Sequence, residues 1–192
     1  MTDMVVLKLG ATPSDIVAWG ALSGGRMTEA GRVENVAALA GLTGRFADGT
    51  RIVAVLPGEQ VALRDIPSPP KQSVKLRAAA GYLLEDELAE DVDDLHISVT
   101  SSAEGARAYA ISKTVMKSWT DAFSEAGVAL SDVSVDFALI GGSPSVCVIA
   151  ADRDRVIAAR GNAGFAVELA LAEIVAPAFL QAAGDAAIVS YG

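Results

Sequence analysis

The chain has 192 residues, of which 52% are apolar and 20% charged, with 15 Lys and Arg against 24 Asp and Glu for a net charge of −9. The apolar fraction excludes a disordered chain, and the acidic balance disfavours DNA, RNA or anionic lipid as the main partner, because phosphates would be repelled. Aromatics are only 5%, so the core must be built from Ala, Val, Leu and Ile.

In chain order, Met4 to Gly10 reads as a strand, and Ile16 to Trp19 as its partner across a Thr-Pro-Ser-Asp turn. Ser23-Gly24-Gly25 turns the chain into a short third strand near Val33, completing a meander. Asn35 to Leu42 reads as a short helix ended by Gly44. Arg51 to Leu56 is an apolar strand buried on both faces, and Val61 to Ile66 returns from the Pro57-to-Gln60 turn as a hairpin arm.

Ser68-Pro69-Pro70 opens a long helix, since proline is tolerated in a first turn. Val74, Ala78, Gly81, Leu84 and Leu88 define its buried stripe. Strands follow at Leu95 to Val99 and Ala106 to Ile111, then an amphipathic helix from Lys113 to Ala126, stopped by Gly127. Val133 to Phe137 reads as a strand entering the loop Ile140 to Pro144. Beyond it, Val146 to Ile149 pairs with Val156 to Ala159 across Asp152-Arg153-Asp154, and a helical region from Phe165 and a strand from Ala186 to Val189 close the chain. No fixed-period repeat is present, yet the hairpin near residue 145 echoes the opening meander. We place a lobe boundary at Gly141-Gly142-Ser143-Pro144, giving a first lobe of 1–142 and the start of a second at 143–192.

The single cysteine, Cys147, excludes an internal disulfide and fits a reducing compartment. The start Met1-Thr2-Asp3-Met4 lacks a secretory signal, and the longest apolar candidate, Phe165 to Phe179, is broken by Glu168, Glu173 and Pro177. The expectation is a soluble cytoplasmic chain.

Four stretches resemble the cytoplasmic domain of the type II secretion system protein L family, within the actin-like superfamily. They are Val55-Leu56-Pro57-Gly58-Glu59-Gln60-Val61 with Ile66-Pro67-Ser68-Pro69; Gly81-Tyr82-Leu83-Leu84-Glu85-Asp86-Glu87-Leu88-Ala89-Glu90-Asp91 running on to Leu95-His96; Val135-Asp136-Phe137-Ala138-Leu139; and Arg160-Gly161-Asn162-Ala163-Gly164-Phe165-Ala166. The resemblance implies an α/β, actin-like (ribonuclease H-like) fold: mixed sheets with flanking helices in two lobes, the second incomplete. It also implies a scaffold without cofactor or catalysis on the cytoplasmic side of the bacterial inner membrane. Such a scaffold binds the amino-terminal domain of the secretion ATPase and other inner-membrane platform proteins, with self-association open. The family's membrane helix and periplasmic domain have no counterpart here, and we expect a fragment or expressed domain.

Actin-like ATPases carry an Asp-x-Gly turn after the first strand, where the carboxylate positions Mg²⁺. The matching place here reads Lys8-Leu9-Gly10, and the later hairpin turn, Ala151-Asp152-Arg153-Asp154, has no glycine. Both halves of a phosphate clamp are degraded, which argues against hydrolysis and reads Lys8 as a solvent-facing strand residue. The alternative from another class is a nucleotide-binding actin-like ATPase of a pilus or cell-division type. Gly24-Gly25 and Gly141-Gly142 are too short for a phosphate loop and read as turns. Asp136 reads as a cap of the following turn, His96 lacks partners for zinc, Ser143 lacks a G-x-S-x-G frame, and Cys147 reads as a buried structural thiol.

One feature points to an interface. Glu85, Asp86, Glu87, Glu90, Asp91, Asp93 and Asp94 fall within ten residues without a base and supply seven of the nine net negative charges. They follow a helix that opens with Lys71, Lys75 and Arg77, an order opposed to the helix macrodipole. We read them as a partner-binding surface, against the ordinary alternative of a solvated face. The arms around Pro57 to Pro67 are a second candidate edge, for which ordinary sheet pairing is the plainer account.

Overall fold

A computed structural model describes residues 3–46, 49–66, 73–85, 88, 91–102, 105–141, 143–152, 154–161 and 163–191. The residues group into two compact units, one of 1–59 with 123–192 and one of 60–122. The boundary expected at 142/143 falls inside the first unit, in the connection between its two sheets.

The first unit begins with β1 (Met4–Lys8), β2 (Val17–Ser23) and β3 (Arg26–Val33), an antiparallel meander. Alternation decides the faces: Val5, Leu7, Val17, Trp19 and Ala21 are buried, whereas Lys8 and Arg32 are exposed. β3 is longer than its sequence suggests, because it lies at a sheet edge and carries few apolar residues to mark it. The segment after it forms two 3-10 turns, Ala37–Gly41 and Thr43–Arg45, the first tied by Asn35 Oδ1 accepting the Ala38 N–H at 3.1 Å. β4 (Arg51–Leu56) then runs parallel to β1, with Val53, Ala54, Val55 and Leu56 all buried.

The second unit opens with β5 (Ala62–Ile66), and here the hairpin expectation is corrected. β5 does not return onto β4; it pairs antiparallel with β7 (Gly105–Ser112), which also pairs with β6 (Leu95–Ser102). A 3-10 turn at Gly58–Gln60 carries the chain out of the first sheet. α1 (Ser73–Glu85) packs on this sheet, its buried stripe being Leu76, Ala80, Gly81 and Leu84 against Ile66, Leu95, Ala106, Ala108 and Ala110. The alanines of β7 bring the helix close to the strands. The Ser68-Pro69-Pro70 opening, and the side chains of Val74 and Ala78, lie outside the described residues. α2 (Lys113–Glu125) buries Trp119 and Phe123, and Gly127 ends it with φ 67°, a left-handed value that a Cβ would strain.

β8 (Asp132–Val135) joins β4 in parallel on the side away from β1, with Arg51 Nη2 2.6 Å from Asp132 Oδ2. It stops short of the expected Phe137, because Asp136 accepts the Phe137 N–H and starts the short helix α3 (Asp136–Ile140). The second sheet of this unit follows: β9 (Val146–Asp152), β10 (Arg155–Arg160) and β11 (Ala163–Glu168) form a meander. α4 (Leu169–Ala183) begins four residues later than Phe165, since Ala163 to Glu168 pair along all of β10. β12 (Ala187–Tyr191) returns parallel to β9.

The sheet orders are β3-β2-β1-β4-β8, β11-β10-β9-β12 and β5-β7-β6. The first two repeat one plan, an antiparallel meander with a further strand laid parallel to its first member. The echo seen in the sequence is thus a topological repeat, four strands long in the second copy and five in the first.

Candidate functional site

The two turns where actin-like ATPases grip phosphate both belong to the first unit. β1 delivers Lys8 at its end, and β9 delivers Asp152 at the tip of the later hairpin. The Lys8 ammonium and the Asp152 carboxylate form an ion pair, each roughly half exposed. The lysine is therefore solvent-facing, as expected from its place on the strand, but its charge is met by the opposing turn. Arg153 lies outside the described residues.

The β1–β2 turn is also closed from within, by a residue the sequence reading passed over. Asp15 Oδ2 accepts the Thr12 N–H at 2.8 Å, and the Asp15 N–H donates to the Thr12 carbonyl at 3.0 Å. The Asp15 side chain crowds Gly10, where a Cβ would stand 2.5 Å from Asp15 Cβ. A phosphate would need such backbone donors, and here a carboxylate of the chain holds one of them. The spacing Thr-Pro-Ser-Asp suggested only a turn; the aspartate's reach back to Thr12 is the signal it contained.

Asp136 is buried and fully engaged. Oδ1 accepts the Phe137 N–H at 2.7 Å, and Oδ2 is ion-paired with the Arg155 guanidinium. Arg155 Nε also lies 2.9 Å from Glu59 Oε1, close enough for ion pairing though angled away from a straight hydrogen bond. One cation thus sits between two carboxylates. Arg155 and Glu59 carry no local sequence signature, since they meet only through the fold.

His96 is exposed on β6, Cys147 is completely buried on β9, and Ser143 Oγ lies 2.6 Å from Ser145 Oγ while accepting the Ser145 N–H at 3.2 Å. Among the described residues no group of three His, Cys, Asp or Glu could hold a metal ion. A groove of about 580 Å³ lies on the β1–β3 sheet, lined by Val6, Ala18, Gly20, Leu22 and Met27 with Lys8 and Arg32 as its charged groups. Its lining holds no carboxylate, imidazole, hydroxyl or thiol.

The acidic run is arranged differently from the expectation. Asp86, Glu87 and Glu90 lie outside the described residues. Glu85 ends α1, whereas Asp91, Asp93 and Asp94 belong to a separate 3-10 turn, Val92–Asp94. Asp91 caps that turn, its Oδ1 accepting the Asp93 N–H at 2.9 Å. For these three the opposition to the helix macrodipole is corrected, because they stand at the start of a turn, where carboxylates are favoured. The Lys113 ammonium donates to the Asp93 carbonyl, and the carboxylates of Glu85, Asp91, Asp93 and Asp94 are exposed. Among the described residues no helix is long and apolar enough to cross a membrane.

Comparison with known proteins agrees with this geometry. The family model described as type II secretion system (T2SS), protein L, matches residues 5–191. A type II secretion system protein L of Vibrio cholerae is 39% identical over 56 residues, a stretch covering 29% of this chain and only 14% of that protein. Among solved structures, the cytoplasmic domain of EpsL, an inner-membrane component of the type II secretion system of Vibrio cholerae, superposes with a TM-score of 0.80 at 22% identity. The match covers 98% of this chain and 82% of that one. A PilM–PilN type IV pilus biogenesis complex gives a TM-score of 0.60 at 16% identity, covering 94% and 68%. A Bacteroides thetaiotaomicron protein with an actin-like ATPase fold gives 0.50 at 8%, covering 93% and 75%. The fold is actin-like, with mixed sheets and flanking helices.

Proposed function

Since the chain belongs to the type II secretion system protein L family, we infer that it is a non-catalytic adaptor of that system's inner-membrane platform, recruiting the secretion ATPase by protein–protein contact on the cytoplasmic side. On this reading 1–142 and 143–192 are the first lobe and the start of the second, each holding one copy of the repeated sheet plan.

The observation that carries the reading is the Lys8–Asp152 ion pair. A nucleotide-hydrolysing site needs a carboxylate free to position Mg²⁺ and backbone N–H groups free to meet phosphate. At this position the first turn offers an ammonium, the second turn's carboxylate is paired with it, and Asp15 holds the Thr12 N–H. The candidate partner-binding run is Glu85 to Asp94, whose described acids Glu85, Asp91, Asp93 and Asp94 are exposed and whose charge suits basic residues on the ATPase or another platform protein. Charge of this kind speeds encounter more than it tightens a complex.

The test is co-purification with the amino-terminal domain of the cognate secretion ATPase, alongside titration of the chain alone with Mg-ATP. The adaptor reading expects a stable complex and no turnover. Magnesium-dependent ATP cleavage by the pure chain, lost on altering Lys8 and Asp152, would establish the ATPase alternative instead.

A further inference from the structure

We propose that the outer edge of β6 is the docking strand of the adaptor. An extended segment of the partner, apolar and polar by turns and ending in Lys or Arg, adds to it as a fourth strand, its basic end beside Asp93 and Asp94. The inference rests on the adaptor reading and names how the partner is held.

The first observation is the edge itself. In the sheet β5-β7-β6 the central strand is paired on both sides, so β5 and β6 each turn a row of N–H and C=O groups outward. β6 pairs with β7 along all eight residues, Leu95 to Ser102, without a register shift, and no strand lies on its far side among the described residues. Natural sheets protect open edges with charge, proline, a bulge or shortness. β5 has five residues and carries Arg64 and Asp65. β6, Leu95-His96-Ile97-Ser98-Val99-Thr100-Ser101-Ser102, holds no Lys, Arg, Asp, Glu or Pro. An edge that long and that regular is a template for strand addition.

The second is the division of its two faces. Leu95 is buried, and Ile97 and Val99 are half-buried against the apolar cluster that α1 makes with the sheet. His96, Ser98 and Thr100, on the opposite face, are exposed. An added strand inherits this pattern from its neighbour. Its apolar residues extend the cluster past Ile97 and Val99, and its polar residues stand in water beside Ser98 and Thr100.

The third is charge. Asp91 caps the 3-10 turn Val92–Asp94, which leads directly into Leu95, and the carboxylates of Asp91, Asp93 and Asp94 are exposed. The far end of the strand, Thr100 to Ser102, is uncharged. One end of the edge therefore attracts cations and the other does not, which sets the partner's basic residues at the Leu95 end.

The experiment is residue-resolved amide exchange of the full chain, alone and with the amino-terminal domain of the cognate secretion ATPase, together with binding titrations of variants. Strand addition engages only the outward-pointing groups. On binding, alternate amides from His96 to Ser101 should gain protection by about tenfold or more, while those already bonded to β7 change little. Ser98→Lys, which gives the edge the charge that protected edges carry, should weaken binding by about tenfold or more, whereas Met27→Lys on β3 should leave it unchanged. Thr100→Lys supplies the same test should Ser98→Lys fail to fold. Asp93→Asn with Asp94→Asn should weaken binding and reduce its salt dependence. A complex in which β6 gains no alternating protection, or which tolerates both lysine variants, would overturn this proposal and leave the adaptor reading standing. Absence of any complex would overturn both.

Discussion

Asp136 and Arg155, nineteen residues apart, join the two sheets of the first unit through a buried ion pair. Asp136 stands where β8 ends and α3 begins, and Arg155 opens β10. Phe137, the next residue, lies against both Gly58 and Gly164, which lack the side chains that would push it away. The junction is held by a polar lock beside a close-packed ring, which fixes α3 between strands of different sheets.

Removing one member of this pair leaves the other charge buried. Asp136→Ala should destabilise the chain by about 1.5–3 kcal/mol, since Arg155, 14% exposed in its side chain, loses one of its two carboxylates and keeps Glu59. The double variant Asp136→Leu with Arg155→Met should cost less than the sum of the two single changes, because neither charge is then stranded. Urea unfolding of the unaltered chain, Asp136→Ala, Asp136→Leu, Arg155→Met and the double variant measures both quantities. Strict additivity would mean that the pair contributes through its two residues separately.

Gly58 gives a second, steric expectation. A Cβ there would stand 2.6 Å from Phe137 Cδ1, 2.7 Å from Asp136 Oδ1 and 2.8 Å from Ala166 Cβ, all inside contact distance. Gly58→Ala should therefore cost about 1–3 kcal/mol. At Gly44 a Cβ meets nothing within 4 Å, so Gly44→Ala should change stability by less than about 0.5 kcal/mol. Thermal unfolding of the two variants side by side separates crowding from loss of backbone freedom.

What the sequence disclosed, and what it hid, divides by the range of the interaction responsible. β1, β4, β9 and β10 are marked by their own apolar runs, and α2 by its stripe and the glycine that stops it. Such signals lie within a few residues of the structure they cause. The partner of β5 is not local: Asp65 meets Arg107, 42 residues on, through an ion pair that nothing near Asp65 announces. The start of α4 was misplaced because Phe165-Ala166-Val167 suits strand or helix, and only pairing with β10 decides between them. The same holds for the site. The degraded turns at Lys8 and Asp152 were legible residue by residue, but their pairing spans 144 residues and belongs to the fold.

That pairing should matter little to stability. Both side chains are nearly half exposed, so solvent screening limits the pair to about 0–1 kcal/mol. Lys8→Ala and Asp152→Ala should each lower the urea midpoint only slightly, and the difference should shrink in high salt. Restoring the carboxylate with Lys8→Asp should not generate ATP turnover, because Asp15 still holds the Thr12 N–H and the later turn still lacks glycine. Phosphate release from Mg-ATP measures this directly, and turnover by Lys8→Asp alone would show that one residue separates the scaffold from an enzyme.

The acidic run offers the kinetic counterpart. It holds seven of the chain's nine net negative charges within ten residues. A concentration of one sign acts over roughly a Debye length, about 10 Å at 0.1 M salt. If the run steers a basic partner, the association rate must fall as salt rises, while dissociation changes little. Reversing Glu87, Glu90 and Asp91 to Lys moves the local charge by six units and should slow association by about tenfold or more at low ionic strength. The variant's rate should also become nearly flat in salt, because little steering is left to screen. Stopped-flow mixing with the ATPase's amino-terminal domain at several salt concentrations measures both effects. Asp91 caps the turn through the Asp93 N–H, so the variant should lose about 0.5–2 kcal/mol of stability, and circular dichroism before mixing checks that it is still folded. An association rate and salt slope equal to those of the unaltered chain would leave the run a solvated face and direct the search for the docking surface elsewhere.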